Sequence, residues 1–357
     1  MYDTTALVSL DDIRLAAGRI RSLVRRTPLL QVEAGPPPSQ KLRRTAEALA
    51  EAGHARLSTL SLKCECFQPG GAFKIRGACN MIAQLSPEAR SAGVITYSSG
   101  NHGQAVALVA EAFDAPAIIV MPETTPQVKI EGVRRHGAEV VFAGTTSADR
   151  QLRAEELAKE RGLTIVPPFD HPWIIAGQGT TGLEILEQHP QVRSIYVPVG
   201  GGGQIAGVSA AVKRMRSSVR VVGVEPAGAA RMTASMAAGR PVTLDSTASI
   251  ADGLLTLRPG DLTFAHVQAF VDEVVTVTDD EIAAAVKWIY YEAKIVTEPS
   301  GAAAVAASLR ALEPDTVAVV SGGNVDPGAF SGYIAGSREP EASTTPSLWR
   351  ASRRLTD

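Results

Sequence analysis

Cysteine is scarce in this chain: Cys64, Cys66 and Cys79 are all there is in 357 residues. Three thiols cannot staple a fold of this length, so a disulfide scaffold is excluded. An excess of one charge sign is missing too. Lys and Arg number 35 against 37 Asp and Glu, a formal net charge of −2. That balance gives no electrostatic reason to expect a nucleic-acid or anionic-membrane partner. No stretch approaches the roughly 18 continuous apolar residues of a membrane span. The opening Met1-Tyr2-Asp3-Thr4-Thr5 has no basic segment leading into an apolar one, so no secretory signal is expected and a soluble cytoplasmic protein is. What is present is ordinary: 45% apolar and 20% charged residues, ample material for a core and no sign of pervasive low complexity. At roughly 150 residues per domain, the length implies about two domains.

Ser9 to Val24 reads as a helix. Ser9 can cap it, Asp11 and Asp12 suit its first turn, and Ile13, Ala17, Ile20 and Val24 form an apolar stripe. The breaker Gly35-Pro36-Pro37-Pro38 follows, then a charged, Ala-rich helix over Ser39 to Glu51. From Leu60 onward, short apolar runs alternate with helical patterns. Strands are expected at 60–64, 93–97, 117–121, 139–142, 163–166, 194–199, 219–224, 274–278 and 316–320. Helices are expected at 102–113, 127–136, 147–161, 182–188, 205–215 and 280–294. This rhythm means βαβ units, hence an α/β fold with mainly parallel, doubly wound sheets. Ligands in such folds sit beyond the carboxyl ends of the strands, so chemistry is sought there. Cys64-x-Cys66 lacks a second Cys/His pair at ligand spacing and is read as buried or edge thiols; no metal is expected.

The stretches after the strands are distinctive. Gly200-Gly201-Gly202-Gly203 lies between a strand and a helix, where bare backbone and the free N–H groups of the helix start make a phosphate cradle. Gly201-x-Gly203-x-x-Ala206, with Glu225 about 20 residues on, also matches a dinucleotide fingerprint, so an NAD(P)-binding oxidoreductase competes. In Gly70-Gly71-Ala72-Phe73-Lys74-Ile75-Arg76-Gly77 a lysine follows a glycine turn and opens a helix. The positive helix end disfavours its ammonium, and an amine of depressed pKa can form a Schiff base. Ser98-Ser99-Gly100-Asn101-His102-Gly103 opens another helix and suits a carboxylate. Ser321-Gly322-Gly323-Asn324 places a hydroxyl at a strand end.

Together these stretches resemble the fold-type II pyridoxal-phosphate enzymes (tryptophan synthase β-like), specifically the serine/threonine dehydratase and serine racemase branch. The resemblance runs from about Ser9 to Asp326. It includes Arg26-Thr27-Pro28-Leu29-Leu30, Met121-Pro122-Glu123, Ile175-Ala176-Gly177-Gln178-Gly179-Thr180, Gly223-Val224-Glu225-Pro226 and Thr297-Glu298-Pro299-Ser300-Gly301. It implies pyridoxal 5′-phosphate as cofactor, held covalently by Lys74, with Phe73 beside it. Gly200, Gly201, Gly202, Gly203 and Gln204 would hold its phosphate, Asn101 its ring hydroxyl, and Ser321 its ring nitrogen, with Glu298 near the ring edge. Ser98, Ser99, Asn101 and His102 would take the substrate carboxylate. Lys74 would be the general base, and Ser99 would return a proton from the opposite face in a racemase.

The resemblance also implies a homodimer, a discontinuous large domain (1–77 and 168–335), a small domain (78–167), and a flexible tail (336–357). The implied reaction is β-elimination of L-threonine or L-serine to a 2-oxo acid and ammonia. Serine racemase, 3-hydroxyaspartate dehydratase and β-replacement are alternatives within the family. Outside it stand an NAD(P)-binding oxidoreductase and a non-catalytic amino-acid-binding protein. The chain departs from the family's pattern in Ala72, where Ser or Thr is usual, and in a long stretch from Gly35 to Thr59. It departs again after Glu225-Pro226, where the acidic residue used by cation-binding members is missing and Arg231 follows instead. Arg150 is a further candidate for a second substrate carboxylate, against a plain surface role.

Overall fold

The computed structural model describes residues 6–34, 58–311 and 313–335. The helix expected at 39–51 and the tail from 336 lie outside the described residues. Among the described residues, ten strands form two sheets: β1 (Leu29–Ala34), β2 (Ser58–Cys64), β3 (Val94–Thr96), β4 (Ala117–Met121), β5 (Glu139–Phe142), β6 (Thr164–Ile165), β7 (Ser194–Pro198), β8 (Arg220–Pro226), β9 (Glu273–Val277) and β10 (Thr316–Val320). The larger sheet has the order β1-β2-β10-β7-β8-β9 and the smaller β5-β4-β3-β6. Every pairing is parallel except that of β1 with β2, which starts at Leu29 opposite Lys63. Helix-covered parallel sheets bury both strand faces. Accordingly β4, β7 and β10 are buried at every residue.

The helices that matter for the site are α1 (Leu10–Ile20), α2 (Lys74–Ile82), α3 (Pro87–Ala92), α4 (Asn101–Ala112), α5 (Gln127–Arg134), α6 (Ser147–Arg161), α7 (Pro172–Gln188) and α8 (Gly203–Met215), followed by α9 (Arg231–Ala238) and α10 (Asp261–Phe270). Helix α1 begins where its sequence says it should. The Ser9 hydroxyl accepts from the Asp12 N–H at 3.1 Å, and Asp12 accepts from the Ser9 N–H at 2.9 Å. Thr146 with Asp149 caps α6 in the same way.

Two expectations are corrected. The first is β1, read only as part of a motif, which is the antiparallel edge strand of the large sheet. The second is α7, which starts ten residues earlier than the expected 182. Gly177, Gly179 and Gly182 lie within it, and they are contact points. A Cβ on Gly177 would lie 2.5 Å from the Arg76 carbonyl of α2, and one on Gly207 of α8 would lie 2.3 Å from the Ile175 carbonyl and 2.4 Å from the Gly179 nitrogen. Helices α7 and α8 therefore meet backbone to backbone, and tertiary packing overrides the low helix propensity of glycine.

A buried ionic cluster anchors α2. Arg76 is fully buried and grips Glu65 with two bonds (2.7 and 2.8 Å) and Glu184 with two more (2.7 and 2.9 Å). Lys63, also fully buried, reaches Glu184 at 2.5 Å and the Thr27 carbonyl and Gln188 amide at 2.9 Å. Two cations and two carboxylates cancel. Burial works against the Arg76 charge, but Glu65 and Glu184 outweigh it and raise its pKa.

Candidate active site

The chain leaves β2 through two tight turns with Gly70 and Gly71 at φ +76° and +75°. Only glycine takes that backbone without strain, and at Gly71 a Cβ would also strike the Asn324 side chain at 2.3 Å. Ala72 then bridges Gly322, and the Phe73 N–H donates to the Ser321 carbonyl at 3.0 Å. The start of α2 is thereby pinned to the carboxyl end of β10. Lys74, its first residue, donates from Nζ to the Pro168 carbonyl at 2.7 Å, with the amine 5.2 Å from the Phe73 ring centre. Among the described residues no carboxylate pairs with this amine. Burial without a counter-charge pushes its pKa down to about 8.

The residue after Pro168 leads to the tetraglycine turn. A Cβ on Gly201 would lie 2.3 Å from the Phe169 ring, and one on Gly203 would lie 2.9 Å from the Phe169 Cβ. Gly202 has φ +98°, and α8 begins at the next residue. The leading N–H groups of a helix have no intrahelical acceptor. Beside them the buried Gln204 amide has neither its oxygen nor its nitrogen bonded among the described residues. A buried amide orphaned at a helix start fits an anion that the protein itself does not supply.

Contacts continue around the site. A Cβ on Gly200 would come within 3.3 Å of the Gly253 carbonyl. The Gly253 N–H donates to the Ser300 hydroxyl at 2.9 Å, and the Ser321 hydroxyl donates to the Ser300 carbonyl at 3.4 Å. Since Ser321 leads back to Phe73 and Lys74, the circuit closes. Beside it, Asn101 donates from Nδ2 to Glu298 at 2.7 Å and accepts at Oδ1 from Asn324 at 2.9 Å. Burial, with a lesser push from Asp252, raises the Glu298 pKa to about 8, so its carboxyl is largely protonated at neutral pH.

Ser98 and Ser99, both half-buried, end the β3 side of the turn; the Gly100 N–H donates to the Ser98 hydroxyl at 3.4 Å, and α4 starts at Asn101. The His102 ring is buried, and its Nε2 faces the Val166 carbonyl at 3.0 Å. Burial, aided by the Lys74 charge, pushes its pKa down to about 3. A neutral ring turned to Val166 brings no cation to a carboxylate, so what this residue offers is the N–H of the helix start. Arg150 bonds Ser147 on its own helix at 2.7 Å. The Cys64 thiol is buried and donates to the Leu62 carbonyl at 3.3 Å.

Glu225, the acid of the dinucleotide fingerprint, is fully buried. Its carboxylate accepts from the N–H groups of Met232 and Thr233 at 2.8 Å each and from the Thr233 hydroxyl at 2.9 Å. A carboxylate so used has no place for a ribose, which removes the support for an NAD(P) site. Sequence reasoning passed over Pro168, Phe169, Ser300 and Asn324. Ser300 and Asn324 stood in quoted motifs, but their contacts are with distant residues: Gly253 for Ser300, and Gly70 and Asn101 for Asn324.

Residues 21–323 match the family model described as "Pyridoxal-phosphate dependent enzyme". The chain is 41% identical over 323 residues to the L-threonine ammonia-lyase of Thermotoga maritima, covering 90% of this chain and 76% of that protein. It is 43% identical over 280 residues to a serine racemase of Oryza sativa, covering 76% of this chain and 82% of the relative. The solved structure of maize serine racemase superimposes with a TM-score of 0.82 at 38% identity, covering 93% of this chain and 98% of that one. With a lysine amine and a tetraglycine turn joined in one circuit, the chain belongs to the family of pyridoxal-phosphate dependent enzymes.

Proposed function

We propose that the protein is an ammonia-lyase that deaminates L-threonine or L-serine by β-elimination, yielding a 2-oxo acid and ammonia. The observation that carries the reading is the Lys74 amine, held by one carbonyl, unpaired with any described carboxylate, and two residues of contact from the tetraglycine turn. Relatives named threonine ammonia-lyase and serine racemase support the same chemistry. Bound pyridoxal phosphate supplies an electron sink for the negative charge that develops at the substrate Cα.

The chain's own residues do the rest. Gly200 to Gly203 and Gln204 bind the phosphate, Asn101 the ring hydroxyl, and Ser321 the ring nitrogen. Ser321 would meet that nitrogen with a neutral hydroxyl rather than a carboxylate. Ser98, Ser99, Asn101 and the N–H of His102 orient the substrate carboxylate. Lys74, with a pKa about 8, is a base matched to neutral solution and takes the Cα proton. The water lost in elimination is regained when the imine product is hydrolysed, so the reaction needs no oxidant. Ser99 would return a proton from the opposite face in a racemase, and racemisation is the second reading, favoured by the racemase relatives.

The test is a panel of L- and D-serine, L-threonine and 3-hydroxyaspartate, scored for 2-oxo acid and for enantiomer. Oxo acid from L-threonine or L-serine supports the proposal. Enantiomer exchange without oxo acid replaces it with the second reading, and no product from any member overturns both. The proposal includes a cytoplasmic homodimer, checked by sedimentation.

A further inference from the structure

Behind the glycine turn lies a cation that the chemistry above does not use. Arg231, the first residue of α9, is fully buried and meets backbone rather than solvent. Its Nε donates to the Gly200 carbonyl at 3.2 Å, Nη2 to the Val199 carbonyl and Nη1 to the Ala229 carbonyl. Among the described residues, the carboxylate paired with it is the buried Glu225, 3.6 Å from Nη1. The next carbonyls of the turn are also taken. Gly201 accepts from the Thr263 hydroxyl at 2.6 Å and the Gly260 N–H at 3.2 Å, and Gly202 accepts from the Ala206 N–H at 2.9 Å.

This pattern has a geometric consequence. In a planar trans peptide, the C=O of one residue and the N–H of the next point in opposite directions. Fixing the carbonyls of residues 199 to 202 on protein donors therefore aims the N–H groups of Gly200 to Gly203 away from those donors. Four glycines have no side chains to choose this arrangement, and their backbone is otherwise free to flip. We propose that Arg231 is a positioning residue: its guanidinium holds the Val199 and Gly200 carbonyls so that the turn presents N–H groups to the phosphate of pyridoxal phosphate. The proposal rests on the assignment of this turn to that phosphate.

The experiment compares pyridoxal phosphate with pyridoxal, titrated into the cofactor-free protein and read by visible absorbance. Both can reach Lys74, and only one carries the phosphate. Wild type is expected to prefer the phosphate ester strongly. Arg231→Ala should lose that preference by about tenfold or more, as removal of charge-assisted hydrogen bonds implies, while its affinity for pyridoxal changes little. Millimolar guanidinium should restore the preference, and tetramethylammonium should not. Arg231→Lys, which keeps the charge without the fork, should show an intermediate loss and supplies the readout if the alanine variant does not fold. A variant that keeps the full preference, or weakens both ligands equally, overturns the role of Arg231. If wild type itself shows no preference, the assignment of the turn fails instead.

Discussion

Lys74 and Arg76 stand two residues apart on one helix, and the protein treats their charges in opposite ways. Arg76 is enclosed by Glu65, Glu184 and Thr180, with its donors matched to acceptors. Lys74 meets one carbonyl and no described carboxylate. The neutralised cluster raises the pKa of its arginine, whereas isolation lowers that of the lysine to about 8. A buried charge that is paired holds structure, and one left unpaired is available to change its state. The helix is clamped at the arginine, two residues from the amine.

The sharpest way to break this contrast is to remove the amine. Lys74→Ala is expected to lower turnover by about a thousandfold or more, since base and covalent attachment are lost together. Its thermal midpoint should stay close to wild type, and its borohydride-reducible absorbance should vanish. A variant that keeps that absorbance refutes the assignment. Arg76→Ala should do the reverse to stability. It strands Glu65 and part of Glu184, at a cost of about 3–5 kcal/mol in urea unfolding.

Proton linkage sharpens the comparison further. The folded-state pKa of Lys74 lies below its unfolded value of 10.5, so its contribution to stability is complete above that pH and is lost as pH falls through about 8. Lys74→Met should therefore stabilise the cofactor-free protein more at pH 7 than at pH 10, measured by thermal unfolding. Glu298 carries the opposite sign. Its folded pKa is raised from 4.5 to about 8, so its contribution is present below 4.5 and lost as pH rises through 8. Glu298→Gln, which keeps an acceptor for Asn101, should flatten stability across that window and change it least at pH 5.

Much of this was legible in the sequence because the signals are local. The Ser9 cap, the strand runs Ala117–Met121 and Thr316–Val320, the glycine turn and the lysine at a helix start each depend on neighbours in the chain. What was hidden depends on distant partners. The tight contacts of Gly177 and Gly179 appear only when α2 and α8 are brought against them. Arg231 reads as a missing acid until its carbonyl partners at residues 199, 200 and 229 come into view. Phe169 is an unremarked aromatic until Gly201 and Gly203 are found beneath it. Side-chain packing across the fold carries no periodic signature.

The glycine seam between α7 and α8 limits motion as well as distance. With no side chain lying between the two rods at Gly179 and Gly207, no rotamer can hop there and no soft layer can be compressed. The start of α8 is thus keyed to a rigid post, with tolerances set by bond geometry. Any play needed to admit and release a ligand must come from other parts of the molecule.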